Sequence, residues 1–289
     1  MTDLNLVSSL LFTPGNRIDR FAKALATGAD GLIIDLEDAV APADKDSARS
    51  AVIDWLRASP AKPRPDFLFC LRINSVFTGY GLLDLAAVVA AAREGVTPDA
   101  LLLPKVESAV EVDLVARHLK QAGAPQVALV ALIESAVGLE EAPAIARASP
   151  MVKAMAFGGA DLAADLRATF GWEPLYAARA RVVQAAAMGG IAAIDVPYLQ
   201  IDNEAGLAEE CARVRAMGFG GKLAIHPSQV VPINTAFTPT AAEIEYANGV
   251  AAAYEAAAGG VCTYRGKMID EPVMASARRV LARSHRGAA

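Results

Sequence analysis

Histidine, cysteine, net positive charge and long apolar runs are all scarce in this 289-residue chain, and each scarcity excludes something. Three histidines, scattered at His118, His226 and His285, argue against a zinc centre. Three cysteines, Cys70, Cys211 and Cys262, are odd in number and far apart, so they suggest neither a disulfide framework nor a CxxC metal pair. A reducing cytoplasm is the expected compartment. No apolar stretch approaches the ~18 residues of a membrane helix. The opening MTDLNLVSS has an acid and no basic run before its apolar residues, so no export signal is expected. A formal net charge of −5 and a pI near 5.3 leave no general field for nucleic acid or anionic lipid. Neither is expected as a partner, and any anionic ligand must be held by local cations.

What is present is a core-forming composition, 54% hydrophobic and 20% charged. Eight short apolar runs recur, at 9–12, 32–35, 67–73, 100–104, 127–134, 152–157, 191–195 and 222–226. Between them lie segments with helical periodicity, among them RIDRFAKALAT, KDSARSAVIDWLR, LLDLAAVVAAARE, AVEVDLVARHLKQ and EAGLAEECARVRAM. Several end at a glycine leading into the next strand, as in ATGADG and RAMGFGGK. Near-continuous apolar strands alternating with helices imply a parallel sheet covered on both sides. Eight units at roughly 30-residue spacing predict an α/β protein, a (β/α)8 TIM barrel, with a doubly wound sheet as the alternative. The barrel domain is assigned to residues 1–236. Residues 237–289 are read as a C-terminal helical extension, suited to covering the barrel mouth, packing on a neighbouring subunit, or both.

Active sites of such barrels lie at the C-terminal strand ends. Those ends read Thr13-Pro14-Gly15, Asp35/Glu37/Asp38, Arg72/Asn74, Pro104-Lys105, Glu134, Asp161, Asp195 and His226. Glu134 and Asp161 leave neighbouring strands on one rim and could share one hard, oxygen-preferring ion such as Mg²⁺; two helix-capping acids are the plainer reading. The Gly158-Gly159 pair lets backbone N–H groups approach a ligand. Arg72 needs an anionic partner, either a ligand or the DLED acids. Lys105 is open to a Schiff-base role or to simple pairing with a carboxylate. Arg17, Arg20 and Lys23 fall within about 120° of one helix face if RIDRFAK is α-helical, a place for a phosphate-rich ligand or merely a solvated face. His226-Pro227 suits either a phosphate site or a helix cap.

In order, LLFTPGNRIDRFAKALATGADGLIIDLEDAV, LRIN, LLLPKVESA, ALIESAVGL, FGGADLAADL, AAIDVPYLQIDNEAGLAEE, GFGGKLAIHPSQV and GKMIDEPV resemble the citrate lyase beta-subunit-like family. That family includes malyl-CoA and citramalyl-CoA lyases and groups with the HpcH/HpaI aldolases. The resemblance implies a TIM-barrel carbon–carbon lyase, assembled as a homotrimer or a multiple of it. It implies Mg²⁺, with Mn²⁺ as a substitute, on the acids matching Glu134 and Asp161. A CoA thioester and a 2-oxo acid are the implied small-molecule partners. Arg72 is implied to contact the reacting group, and Asp270 of GKMID to act from a C-terminal lid of its own or the next subunit. Arg17 and Lys105 are implied near substrate or CoA, with Gly159 and Ala160 completing the binding set. Glu37 and Asp38 are read as orienting metal-bound waters or Arg72, and Asp35 as fixing the strand end. The expected reaction is reversible retro-Claisen cleavage of a carboxylated 3-hydroxyacyl-CoA. Thioester hydrolysis, a CoA-independent aldolase and a subunit acting on an acyl-carrier-protein thioester are the competing readings.

Overall fold

The computed structural model describes residues 3–284, so His285 and the last residues assigned to the extension lie outside it. Eight parallel strands close a barrel in sequence order: β1 (Ser9–Pro14), β2 (Gly31–Asp35), β3 (Leu68–Arg72), β4 (Ala100–Leu103), β5 (Ala128–Ile133), β6 (Val152–Phe157), β7 (Ala192–Asp195) and β8 (Gly221–Ala224). The (β/α)8 reading is correct, and β8 returns to β1 through Ser9–Lys222 and Leu10–Leu223 pairing. The helices are α1 (Phe21–Leu25), α2 (Lys45–Arg57), α3 (Gly79–Arg93), α4 (Ala109–Gln121), α5 (Ala136–Ile145) and α6 (Gly159–Asp165). They continue with α7 (Trp172–Gly189), α8 (Glu204–Met217), α9 (Val230–Phe237), α10 (Ala241–Ala256) and α11 (Glu271–Ser284).

Strand side chains alternate between two environments, and this alternation builds the site. One set, including Leu68 and Cys70 of β3, Ala128, Val130 and Leu132 of β5, and Ala192 and Ile194 of β7, packs together as the buried lining of the barrel. Continuing the same phase by two residues brings Arg72 and Glu134 inward at the C-terminal end. The β2 phase set by Ile33 brings Asp35 inward too. In β7 the phase is opposite: Ala192 and Ile194 face in, so Asp195 faces out.

Asp195 therefore does not belong to the rim, contrary to its position in the sequence. It is fully buried, accepts from Arg179 Nε of α7 at 2.9 Å and from Lys222 Nζ of β8 at 2.5 Å, and Lys222 also donates to Glu210 of α8 at 2.6 Å. This network ties two strands to the helices outside them.

The chain divides between Asn234 and Thr235 into two compact units. The second holds α10, α11 and an antiparallel pair, β9 (Cys262–Tyr264) and β10 (Lys267–Ile269). Ala247, Val250, Ile269 and Ala277 form its own small core. Among the described residues, no helix is long and apolar enough to cross a membrane.

Candidate active site

At the inward C-terminal end of β2 and β3, Asp35 and Arg72 are register partners. Arg72 Nε donates to Asp35 Oδ1 at 2.7 Å and Nη2 to Oδ2 at 2.5 Å, a two-pronged bond onto a buried carboxylate. Asp35 also accepts from the backbone N–H of Glu37 and of Ala39, at 2.8 and 3.1 Å. It thus fixes both the arginine and the turn that follows the strand. Burial works against the charge on Arg72, but the bonds to Asp35 and the charges of Asp35, Glu37 and Asp38 outweigh it and raise its pKa. The guanidinium lies 4.8 Å from the centre of the Phe12 ring. With five N–H donors and two spent on Asp35, it keeps donors for a ligand.

Glu37 sits between two cations. Lys105 Nζ donates to its Oε1 at 2.6 Å. Arg72 Nη1 is 2.9 Å from its Oε2, but off any hydrogen-bond direction, so that buried oxygen has no donor. Desolvation raises the Glu37 pKa, with Arg72 and Lys105 pulling against it. Asp38 is exposed and lies 3.5 Å from Lys105 Nζ. Lys105 is therefore a carboxylate-paired lysine, raised in pKa by Glu37, Asp38 and Glu134 despite partial burial. Such a lysine is protonated at neutral pH and unfit for a Schiff base.

Lys105 has a positive φ of 52°, in the left-handed region that costs a non-glycine residue about 1 kcal/mol. The conformation turns its backbone N–H onto Glu134 Oε1 at 2.7 Å while its side chain reaches Glu37. One residue thereby links the β2 and β5 rims.

Glu134 follows β5 directly and is buried; its carboxyl is pushed up to about 9 by burial, with the charges of Glu37 and Asp161 adding to the effect. Asp161 does not close β6 as its place in the sequence suggests. The strand stops at Phe157, and Asp161 sits in the first turn of α6, where a carboxylate is favoured. Gly158 lies between the two acids. A Cβ there would fall 2.3 Å from Glu134 Cβ and 2.7 Å from Oε2, so the carboxylate occupies room that only glycine leaves. Gly159 and Ala160 open α6, whose first-turn N–H groups have no partner within the helix.

These groups fit a hard divalent cation. Glu134 is a buried acid held among other acids, Glu37 Oε2 is buried without a donor, and all the atoms on offer are carboxylate oxygens. Among the described residues, no group of three or more His, Cys, Asp or Glu side chains is placed to hold an ion. An ion on Glu134 and Asp161 would draw its remaining ligands from water and substrate, as Mg²⁺ commonly does.

The other expected residues have the following local surroundings. Ile18–Arg20 is a 3₁₀ turn and α1 has only five residues, so Arg17, Arg20 and Lys23 share no continuous helix face. Arg17 instead forks onto Asp19 at 2.9 and 2.8 Å. His226 caps the turn at Pro227–Gln229, as the plainer reading had it. Asp270 follows β10 and caps α11, accepting from Val273 N–H at 3.2 Å. One residue escaped the sequence reading: Lys45, the first residue of α2, is buried and donates to the backbone carbonyls of Leu36 and Glu37.

Residues 8–227 match the family described as HpcH/HpaI aldolase/citrate lyase, and residues 173–286 one described as C-C bond lyase of the TIM-barrel fold. The chain is 36% identical over 288 residues to the citrate lyase subunit beta of Escherichia coli K12, covering 96% of this chain and 92% of that one. It is 36% identical over 281 residues to a (3S)-malyl-CoA thioesterase of Cereibacter sphaeroides, covering 96% and 94%. Among solved structures it resembles CitE of Mycobacterium tuberculosis in complex with magnesium, acetoacetate and coenzyme A. That likeness has a TM-score of 0.79 at 33% identity and covers 98% of this chain and all of that one.

Proposed function

The chain belongs to the HpcH/HpaI aldolase/citrate lyase family and is a carbon–carbon lyase, and on that premise we propose that it cleaves a carboxylated 3-hydroxyacyl-CoA reversibly into acetyl-CoA and a 2-oxo acid. Citramalyl-, malyl- and citryl-CoA are the candidate substrates. The observation that carries this reading is the cluster of Arg72, Glu37, Lys105 and Glu134 at the C-terminal end of β2–β5, where cationic donors stand beside two buried carboxylates and the donor-free Oε2 of Glu37. Magnesium on Glu134 and Asp161 would supply Lewis-acid polarisation of the substrate's hydroxyl and carboxylate oxygens.

Arg72 is the electrostatic element. When the hydroxyl loses its proton to water, its oxygen re-forms a carbonyl and the C–C bond breaks, leaving the electron pair as a thioester enolate. The spare guanidinium N–H groups of Arg72 stabilise that charge, and the Asp35 fork keeps the guanidinium from swinging away. Asp270, from its own or a neighbouring subunit, gives the enolate carbon its proton and so releases acetyl-CoA; in the condensing direction the same carboxylate takes it. Glu37 and Lys105 hold Arg72 and Glu134 in register, and Asp38 modulates Lys105 from the exposed side. Gly159 and Ala160 N–H groups, with Arg17, serve the thioester end.

Assaying the purified chain on the three thioesters with and without Mg²⁺ tests this reading. Magnesium-dependent release of a 2-oxo acid from at least one is expected; no release from any would refute it. The 36% identity to a malyl-CoA thioesterase favours one second reading, hydrolysis at the thioester by the same site. Free CoA together with intact malate is its signature.

A further inference from the structure

Helix α2 begins in an unfavourable way. Its first residue is Lys45, a cation at the positive end of the helix dipole, where an acid is preferred. The side chain is also 93% buried, the least comfortable place for an ammonium. No carboxylate is among its bonded partners. Its three N–H donors go to three neutral oxygens: Leu36 O at 2.9 Å, Glu37 O at 2.8 Å and Asn74 Oδ1 at 2.7 Å. The Tyr80 ring lies 5.5 Å away on a further side. A charge held against both dipole and desolvation needs a return, and the return lies in what it grips. Leu36 and Glu37 are consecutive, so both of their peptide carbonyls are turned towards one ammonium, which fixes the backbone that carries the Glu37 side chain to Arg72 and Lys105.

The anchor is itself held. Asn74 Nδ2 donates to Leu36 O at 2.9 Å and to Asp84 Oδ2 at 2.6 Å, and Asp84 Oδ1 accepts from Arg49 Nε at 2.6 Å. Arg49 is one turn along α2 from Lys45, and Asp84 belongs to α3. A buried bridge thus runs from two barrel helices to the turn after β2.

We propose that Lys45 is a positioning residue for the lyase reaction: by binding the Leu36 and Glu37 carbonyls it sets where the Glu37 carboxylate stands, and through it Arg72 and Lys105. This deepens the lyase reading and rests on it for the catalytic consequence, whereas the fixing of the turn stands on geometry alone. Lys45→Met keeps the stem and removes the donors. A core truncation at the far end of the same helix, Leu56→Ala, serves as the destabilised control.

Two measurements decide the matter. Hydrogen exchange of the peptide spanning Asp35–Val40 is expected to accelerate at least tenfold in Lys45→Met and not in Leu56→Ala, read well below the unfolding temperature of each. Turnover of the thioester is expected to fall about 10- to 100-fold in kcat. The Mg²⁺-dependent affinity for pyruvate should change less than kcat does, because Lys45 reaches Glu134 only through Glu37 and Lys105. Lys45→Arg, which restores donors, should recover part of kcat. Unchanged exchange in Lys45→Met, or equal losses of kcat in Leu56→Ala, would overturn the proposal. A wild-type chain inactive on every thioester refutes the lyase reading instead, and the exchange arm still decides whether Lys45 fixes the turn.

Discussion

Glu134 concentrates the site's electrostatic cost in one side chain. Its carboxyl, pushed up to about 9 by burial and by the charges of Glu37 and Asp161, stays protonated in the metal-free protein at neutral pH. The unfolded chain ionises it near the usual carboxylate value of about 4.3, so between those limits the folded state binds the extra proton. Its contribution to stability is fully present below the lower limit and is lost as pH rises through about 9. Melting in EDTA should therefore show a temperature midpoint that declines across this range, and Glu134→Gln should remove that component of the decline. Added Mg²⁺ should flatten it in the wild type and leave Glu134→Gln unaffected; calorimetry should show Mg²⁺-dependent pyruvate binding lost in the same variant. A sharper steric test lies next door. Gly158 has a negative φ of −97°, so Gly158→Ala acts chiefly through its Cβ against Glu134. It should weaken Mg²⁺-dependent ligand binding at least tenfold. Gly79→Ala, where a Cβ meets nothing within 4 Å, should leave binding unchanged.

At the scale of elements, two-residue alternation in the strands decides which acids face the site and which hold the scaffold. Asp195 shows the second fate: with Arg179 and Lys222 it forms a fully buried cluster joining β7 and β8 to α7 and α8. Asp195→Ala leaves two buried cations short of a partner and should cost about 3–5 kcal/mol in urea unfolding. Asp54→Ala removes an equally short pair whose acid side chain is 73% exposed, and should cost under about 1 kcal/mol. The same alternation explains what was legible beforehand. Buried parallel strands write themselves as continuous apolar runs, and α2 and α4 coincide with segments of clear helical period. Glu134 and Arg72 were legible on the rim because they close their apolar runs, and the structure adds that they continue the inward phase of their strands. Asp195 was misplaced because position at a strand end was read without its phase. The Arg17, Arg20 and Lys23 face failed for another reason: a 3₁₀ turn advances three residues per turn, so angular spacing computed for an α-helix does not apply. Lys45 was hidden because its burial depends on the path of a loop after β2, which no periodicity encodes.

For the whole molecule, the proposed reaction turns on how a proton is delivered to carbon. Electrostatic stabilisation of an enolate by Arg72 requires an acid on the enolate carbon, and among the rim carboxylates Asp35 and Glu37 are paired with cations while Glu134 accepts from Lys105 N–H. Asp270 follows β10 in the second compact unit and caps α11, accepting from Val273 N–H at 3.2 Å. Asp270→Asn preserves that cap, since the amide oxygen still accepts, but removes the exchangeable carboxyl proton. The variant should keep its melting temperature and its Mg²⁺-dependent pyruvate affinity while kcat falls by about 10²–10⁴. Full turnover would remove Asp270 from the mechanism. Coexpressing Asp270→Asn with Glu134→Ala then probes assembly, because each chain lacks what the other supplies. If the acid of one subunit serves the barrel of the next, mixed oligomers contain sites with both residues intact and recover measurable turnover. If each chain serves itself, every site in the mixture is defective, and the mixture stays as inactive as its parts.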